Sequence, residues 1–154
     1  MKKLAVIALA LFSVSVIAQA ANAETLVKQP QAALFVLDTS GKQPKLLEGT
    51  QLSRSKPRNL CIRIFDVPIQ EQNMFAEYFS APAPMNIVSK GSEVRIDEDK
   101  KGFLVVTNMN KADIKDNLIT RCWEFTPQDP IGKYNVEVQF NDIVFKGLSF
   151  EILR

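Results

Sequence analysis

Hydrophobic and polar residues alternate along most of this chain, in short runs separated by turn residues. The clearest run is residues 134–140, where Tyr134, Val136, Val138 and Phe140 alternate with polar side chains. A period of two is typical of β-strands with one buried face. The pattern also predicts strands over residues 33–37, 45–52, 60–65, 74–80, 93–96, 103–107, 118–125 and 143–153.

Turn residues lie between several of these runs. Residues 141–142 (Asn-Asp) are a two-residue connection of the kind that hairpins prefer. The acidic residues 97–99, followed by Lys-Lys-Gly, predict a charged hairpin turn rather than a catalytic acid/base pair, because adjacent strand residues point to opposite faces. Two helical alternatives stay open: a short helix beginning at Pro68, and one helical turn within residues 110–117.

About eight or nine short strands without a long helical pattern predict an all-β fold, an antiparallel β-sandwich. No internal repeat, low-complexity segment or linker divides the chain. We therefore expect a single domain over residues 24–154, which is an ordinary domain length.

The first 23 residues have the pattern of a secretory signal peptide. Lys2 and Lys3 precede an apolar stretch, and residues 21–23 (Ala-Asn-Ala) fit the small-x-small cleavage pattern, with a cut after Ala20 as the alternative. The apolar stretch is too short for a membrane anchor, which needs about 20 residues, and no cysteine follows it to carry a lipid. We expect a periplasmic protein, with release into the medium as the alternative, and no membrane insertion after cleavage.

The charge balance argues against some partners. Once Lys2 and Lys3 are removed, acidic and basic side chains are equal in number. A nucleic-acid or anionic-membrane binder would show a basic excess or stripe, so neither partner is expected. The basic residues 54–58 predict a solvated loop, since the acidic residues 97–99 balance them.

The chain contains no histidine. This absence excludes nucleophilic catalysis that relies on a histidine base, and it removes the usual zinc sites. The mature glycines are scattered singly, so no phosphate-binding loop is present. We therefore expect no enzymatic activity, no metal and no cofactor.

Two cysteines, Cys61 and Cys122, lie in strand-like segments. In an oxidising compartment an isolated pair is most simply one structural disulfide. A redox site prefers Cys-x-x-Cys, and a metal site needs further ligands. Closing a loop of about 60 residues would stabilise the fold by roughly 4 kcal/mol.

Residues 129–136 (Asp-Pro-Ile-Gly-Lys-Tyr-Asn-Val) resemble the turn into strand F of immunoglobulin-like domains. In that family a glycine stands two residues before a tyrosine whose hydroxyl reaches back to the backbone, the tyrosine corner. Gly132 and Tyr134 match this spacing. The acidic residue stands one place further upstream than usual, and Val136 occupies the position of the second antibody cysteine. The resemblance implies an immunoglobulin-like sandwich and no particular function.

The same resemblance has implications for the cysteines and the tryptophan. If Cys61 lies on strand B and Cys122 on strand E, the family topology places them side by side within one sheet. The single tryptophan of such domains usually lies in the core, which predicts a core position for Trp123. The alternative is an exposed pair with Phe125, which would suit carbohydrate stacking or a protein hot spot.

A second candidate binding feature runs from Tyr78 to Met85. Tyr78 and Phe79 end a strand and lead into a loop in which Pro82 and Pro84 alternate with alanine. Prolines hold such a loop extended at low entropic cost, which suits recognition by a partner. An ordinary rigid inter-strand loop is the alternative.

The sequence thus predicts an exported, non-catalytic binding or adaptor protein of the bacterial envelope that contacts another envelope or extracellular protein. Strand addition at an open sheet edge would be its natural mode. The alternative is an inhibitor of a periplasmic or extracellular hydrolase whose Pro82–Pro84 loop enters the target cleft. Fimbrial subunits also have immunoglobulin-like folds, but this chain lacks the aromatic residue that they carry next to the C-terminus.

Overall fold

A computed structural model describes residues 28–154 of the chain. The signal peptide predicted over residues 1–23, and the start of the mature chain, lie outside this range. The described part contains ten strands and one short 3-10 turn. The strands are β1 (Gln31–Asp38), β2 (Lys45–Leu47), β3 (Gln51–Ser53), β4 (Arg58–Phe65), β5 (Gln72–Ser80), β6 (Glu93–Ile96), β7 (Gly102–Asn110), β8 (Ile119–Glu124), β9 (Gly132–Phe140) and β10 (Ile143–Leu153), and the 3-10 turn is Lys111–Asp113.

The strands form two sheets. One has four strands in the order β2-β1-β4-β8, and the other has six in the order β3-β10-β9-β5-β7-β6. Neighbouring strands are antiparallel except β3, which runs parallel to β10. The antiparallel β-sandwich predicted from the period-two pattern is confirmed.

The core lies between the inner faces of the two sheets. Four alternate residues of β9 point inward and are buried, as their spacing predicts: Tyr134, Val136, Val138 and Phe140. Burial of each such side chain contributes roughly 1.5–3 kcal/mol of transfer free energy. The bulkiest core side chains are Tyr134, Phe75, Phe103, Phe140 and Phe150.

A bulge in β10 keeps its apolar residues on the core side. Phe145 pairs with Val138 of β9, and Leu148 pairs with Val136, two residues further along β9. The pairing register between the two strands therefore shifts around Gly147. In β10 the inward positions are odd-numbered before the bulge and even-numbered after it. This change follows from the one extra residue that β10 has at the bulge. Leu148 is thereby turned toward the core, as the sequence pattern predicts.

The predicted strand over residues 45–52 is wrong as one element. It is divided into β2, which pairs with β1, and β3, which pairs with β10 in the other sheet. Gly49 stands between them with a φ of 75°. Glycine adopts this left-handed conformation without steric cost, so the chain can turn there from one sheet to the other.

The two helical alternatives have different outcomes. Residues 111–113 form the one helical turn predicted within residues 110–117. No helix begins at Pro68. There, the Asn73 amide donates to the Gln70 carbonyl oxygen (2.7 Å) and its own oxygen accepts from the Gln70 N–H (2.9 Å). Such local side-chain bonds offer the backbone an alternative to a helix.

Cys61 and Cys122 face each other directly on the adjacent strands β4 and β8. Their sulfur atoms lie 2.01 Å apart, at bonding distance, with a Cα–Cα distance of 4.0 Å. They point away from the core, on the outer face of the four-stranded sheet, where Cys61 is covered and Cys122 is exposed. The two cysteines are thus neighbours within one sheet.

Candidate functional site

The strand β8 is the longest edge strand of the sandwich. The other three edges are β2 and β3, with three residues each, and β6, with four, whereas β8 has six. An edge strand presents a row of unpaired backbone donors and acceptors, and proteins often blunt such edges by keeping them short. Among residues 28–154, β8 is thus the longest of the four strands that end a sheet, which makes it the candidate site for a partner strand.

The disulfide shows which backbone groups of β8 face the open side. The 4.0 Å Cα–Cα distance between Cys61 and Cys122 is that of a non-hydrogen-bonded pair in an antiparallel ladder. The N–H and C=O groups of Cys122 therefore point away from β4. By alternation, those of Thr120 and Glu124 point the same way, toward the open edge.

A groove of about 230 Å³ lies beside the end of β8. Aromatic side chains form much of its wall, and it is smaller than the roughly 300–1,000 Å³ of most small-molecule pockets. It is therefore sized for side chains of a partner rather than for a large free ligand. The groove is lined by Phe79, Met85, Asn86, Ile87, Val88, Trp123, Glu124, Phe125, Thr126, Asp129 and Tyr134.

The opposite wall of the groove belongs to residues 81–92, here named the proline segment. Hydrogen bonds from the Ala81 and Met85 N–H groups to the carbonyl oxygens of Lys101 and Lys100 (2.8 and 3.0 Å) hold its first part. Its residues are alternately half-buried and exposed, as in a strand, although residues 83–89 pair with no strand. Val88 is 86% exposed at the rim.

Trp123 lines the groove, and its position is fixed by contacts with two residues of β5. Its ring meets Phe79 edge-on with centroids 5.2 Å apart. Its indole N–H donates to Oε1 of Glu77 (2.7 Å), a β5 carboxylate that is 0% exposed between the sheets. Trp123 therefore packs against the core, as the immunoglobulin resemblance implies, while one part of it lines the groove.

Arg121 ties β8 to the proline segment. Its Nε lies 2.8 Å from Oε2 of Glu77, forming an ion pair that is almost wholly buried. Its guanidinium also donates to the Thr107 hydroxyl (2.6 Å), to the Ser92 hydroxyl (3.1 Å) and to the Ser89 hydroxyl. Buried polar networks of this kind rigidify their surroundings when they are well satisfied.

Burial raises the pKa of Glu77 to about 7, although the Trp123 hydrogen bond and the Arg121 charge lower it. The cause of the rise is loss of solvation, which disfavours the charged carboxylate. Glu77 was not singled out from the sequence. The available signal was its position between the buried residues Phe75 and Phe79 on the same strand face, where an apolar residue is the rule.

Two acidic residues, Glu124 and Asp129, line the groove. Glu124 is exposed, and Asp129 accepts hydrogen bonds from the Thr126 N–H (2.6 Å) and hydroxyl (3.1 Å). Within residues 28–154, neither carboxylate has a lysine or arginine nitrogen within 4.0 Å. Arg54 approaches Asp129, but it donates to the backbone carbonyl oxygen. The two charged residues that line the groove are therefore both acidic.

Tyr134 and Gly132 support the same region. The Tyr134 hydroxyl donates to the Pro130 carbonyl oxygen at 2.7 Å, and burial raises the pKa of Tyr134 above its ordinary value. Gly132 has a φ of 135°, and a Cβ placed there would lie 3.2 Å from the Pro82 ring. Both the backbone conformation and the close approach thus favour glycine.

The five residues predicted to bind a partner do not form one surface. Phe79 is 3% exposed and faces inward, whereas Tyr78 faces outward and donates to Asp97 (2.7 Å). Pro82 and Pro84 are exposed on the proline segment. Phe79 and Met85, but not the prolines, line the groove.

Metal binding and membrane insertion would each need a recognisable arrangement of residues. Within residues 28–154, no three acidic or cysteine side chains lie close enough together to hold a metal ion. In the same range, no helix has the length and apolarity needed to cross a membrane.

Comparison with known proteins gives a family. The family model described as the PM0630 beta sandwich domain matches residues 32–153. A curated relative, Uncharacterized protein PM0630 of Pasteurella multocida (strain Pm70), is 46% identical over 159 residues, which cover all of both chains. No solved structure matches the chain. Because the family model matches nearly all of the described residues and the relative is similar over its full length, the chain belongs to the PM0630 β-sandwich domain family.

Proposed function

We propose that this protein is an exported, non-catalytic binding module of the bacterial envelope that holds another protein at the free edge of β8. The observation that carries the proposal is the six-residue open edge lying beside an aromatic groove. In strand addition, main-chain hydrogen bonds provide affinity and pockets for alternate side chains provide specificity. The β8 edge and its groove offer both.

Export is supported by two independent features. Residues 1–23 have the signal-peptide pattern, and the cysteine pair lies at disulfide distance. Disulfides persist in oxidising compartments such as the periplasm. We place the protein in the periplasm, with the medium as the second location.

An immunoglobulin-like topology is part of the proposal. The Tyr134 hydroxyl bonds the backbone four residues upstream, as the tyrosine corner requires. Cys61 and Cys122 lie on neighbouring strands of one sheet, where the family topology puts strands B and E. Both features support this assignment.

The non-catalytic part of the proposal rests on the chemistry that the chain offers. There is no histidine. Glu77 has the raised pKa of a candidate general acid, but it is sealed between the sheets and engaged by Trp123 and Arg121. A general acid must lie within hydrogen-bond reach of its substrate, so Glu77 is better explained as part of a structural network.

The test uses two variants at one edge position. Thr120→Pro removes an N–H that points to the open side without breaking the β4 ladder, since proline is tolerated on strand edges. Thr120→Val keeps the N–H and is the matched control. Oxidised mature protein is used as bait in an envelope extract, and captured proteins are quantified by mass spectrometry.

We expect the wild type and Thr120→Val to capture the same partner and Thr120→Pro to lose most of it, at equal thermal midpoints. Equal capture by both variants would place the binding surface elsewhere on the molecule. If no protein is enriched by the wild type, the protein is not a stable binding module.

The hydrolase-inhibitor alternative has its own support, since Pro82 and Pro84 are exposed on a segment fixed by two backbone hydrogen bonds. Assays of lysozymes and proteases with the wild type and Pro84→Asp test it. Inhibition that the aspartate abolishes would establish this alternative. An absence of inhibition by the wild type would reject it for the hydrolases assayed.

A further inference from the structure

The acidic residues that line the groove indicate which kind of protein segment would bind at the β8 edge. We infer that the partner is an extended protein segment with alternating apolar side chains and a lysine or arginine, which pairs with β8 and places its cation beside the acidic residues of the groove, Glu124 and Asp129. This inference rests on the proposed binding at the β8 edge. It adds the chemistry of the segment that is bound.

The apolar requirement follows from the groove wall. Trp123 and Phe125 contribute the accessible aromatic surface, with Phe79 (3% exposed) and Tyr134 (1% exposed) packed behind them, and Val88 contributes an exposed aliphatic side chain. A strand paired with β8 turns every second side chain toward one face. Alternate residues of the bound segment would therefore enter the groove and cover this surface.

The cationic requirement follows from the charges. Of the described residues that line the groove, the charged ones are Glu124 and Asp129, and both are acidic. A bound segment would partly remove these carboxylates from water. Complementary charges across an interface favour the right partner, and like charges disfavour the wrong one. A lysine or arginine at this position is therefore favoured over glutamate or aspartate.

The Arg121 side chain does not neutralise these two acidic residues. The Arg121 guanidinium is held inside the sandwich by Glu77 and by the hydroxyls of the proline segment and β7. Its side chain is 17% exposed. Arg54 reaches Asp129 at its backbone carbonyl oxygen, whereas no lysine or arginine nitrogen of residues 28–154 lies within 4.0 Å of the Glu124 carboxylate. We therefore expect the cation that pairs with Glu124 to come from the partner.

A second copy of this chain fits the site less well. If two β8 edges paired, the facing strand would supply Arg121 as its only cation within Ile119–Glu124. That guanidinium is already engaged in the interior. Self-pairing therefore leaves Glu124 without a cation, and the structure favours a segment of another protein.

The experiment selects peptides from a random nonapeptide display library on immobilised, oxidised mature protein. Three baits are compared: the wild type, Glu124→Lys, and Glu48→Lys. The last variant makes the same change of charge at an exposed loop residue outside the groove. All baits are first shown to have equal thermal midpoints and a monomeric sedimentation profile.

We expect the wild type and Glu48→Lys to enrich peptides with alternating apolar residues and an excess of lysine or arginine. Glu124→Lys should lose this excess. A selected peptide is then synthesised with its cation changed to glutamate, and separately with N-methyl groups on alternate amides. We expect each change to weaken binding at least about tenfold, which corresponds to about 1.4 kcal/mol.

The outcomes separate this inference from the proposed function. Selected peptides without a cationic excess, but sensitive to N-methylation, would overturn the charge requirement and leave the β8 edge in place. Peptides that bind Thr120→Pro as well as the wild type would overturn both. A wild-type dimer that Thr120→Pro dissociates would identify a second copy as the occupant and also overturn the inference.

Discussion

Replacing Glu77 by glutamine should remove a pH dependence from the stability of this protein. Glu77 is 0% exposed and sits between the two sheets, where Trp123 donates to it and Arg121 forms an ion pair with it. Burial raises its pKa from the ordinary 4.5 to about 7. Glutamine has nearly the same shape but no titrating group, so the substitution isolates the effect of ionisation.

The size and sign of the effect follow from proton linkage. Because the pKa of Glu77 is higher in the folded protein, the folded state binds more protons between pH 4.5 and about 7. The free energy of unfolding therefore falls as the pH rises through this window. At about 1.4 kcal/mol per pH unit, the total loss is about 3 kcal/mol.

Urea unfolding at pH 5, 6, 7 and 8 measures this loss. We expect the wild type to lose most of the 3 kcal/mol relative to Glu77→Gln over this range, with the steepest change below pH 7. The variant leaves Arg121 without an anionic partner at every pH. Because glutamine does not titrate and arginine stays charged throughout, the pH dependence of the wild type relative to the variant still reports the ionisation of Glu77. Glu137→Gln, on the solvent-facing side of β9, is the matched control and should follow the wild type.

Parallel pH profiles for the wild type and Glu77→Gln would refute this reasoning. They would show that Glu77 stays ionised throughout, with the Arg121 charge outweighing the loss of solvation. A wild-type profile that rises with pH relative to the variant would have the wrong sign and would lead to the same conclusion.

Three further substitutions test the supports of the sandwich by urea unfolding. Replacing Cys61 and Cys122 together by alanine should cost about 4 kcal/mol, since the bridge joins residues 61 apart in sequence; no loss in oxidised protein would mean that no bridge forms. Gly132→Ala should cost at least about 1 kcal/mol, because of its φ of 135° and the 3.2 Å approach to Pro82; a neutral result would argue against both constraints. Tyr134→Phe should cost about 1 kcal/mol through its lost hydrogen bond, and unchanged stability would discount that bond.

Local pattern was sufficient to predict most of the strands. β10 has the bounds that its apolar pattern predicts. β9 begins at Gly132, two residues before its predicted start, and ends at Phe140 as predicted. The hairpin between them was also predictable, because Asn141 adopts a φ of 52° and asparagine tolerates that conformation. Period two and turn chemistry are properties of neighbouring residues, so they can be read without knowledge of the fold.

Pairing between distant residues was less accessible from the sequence. The resemblance at residues 129–136 implied that Cys61 and Cys122 are sheet neighbours, and the register of β4 with β8 shows that they are. The division of residues 45–52 between two sheets was missed. Each half alternates well enough for a strand, and which sheet it joins depends on the partners β1 and β10.

The sequence by itself determined that this protein is an all-β sandwich, through alternation that is local to each strand. Only the tertiary structure decided the candidate site. Among residues 28–154, no strand lies on the open side of β8, and the groove exists because the proline segment passes nearby without pairing. Glu77 meets Arg121 and Trp123 across the two sheets. Such contacts join residues about 45 positions apart, and no periodicity within one strand specifies which distant side chain it will face.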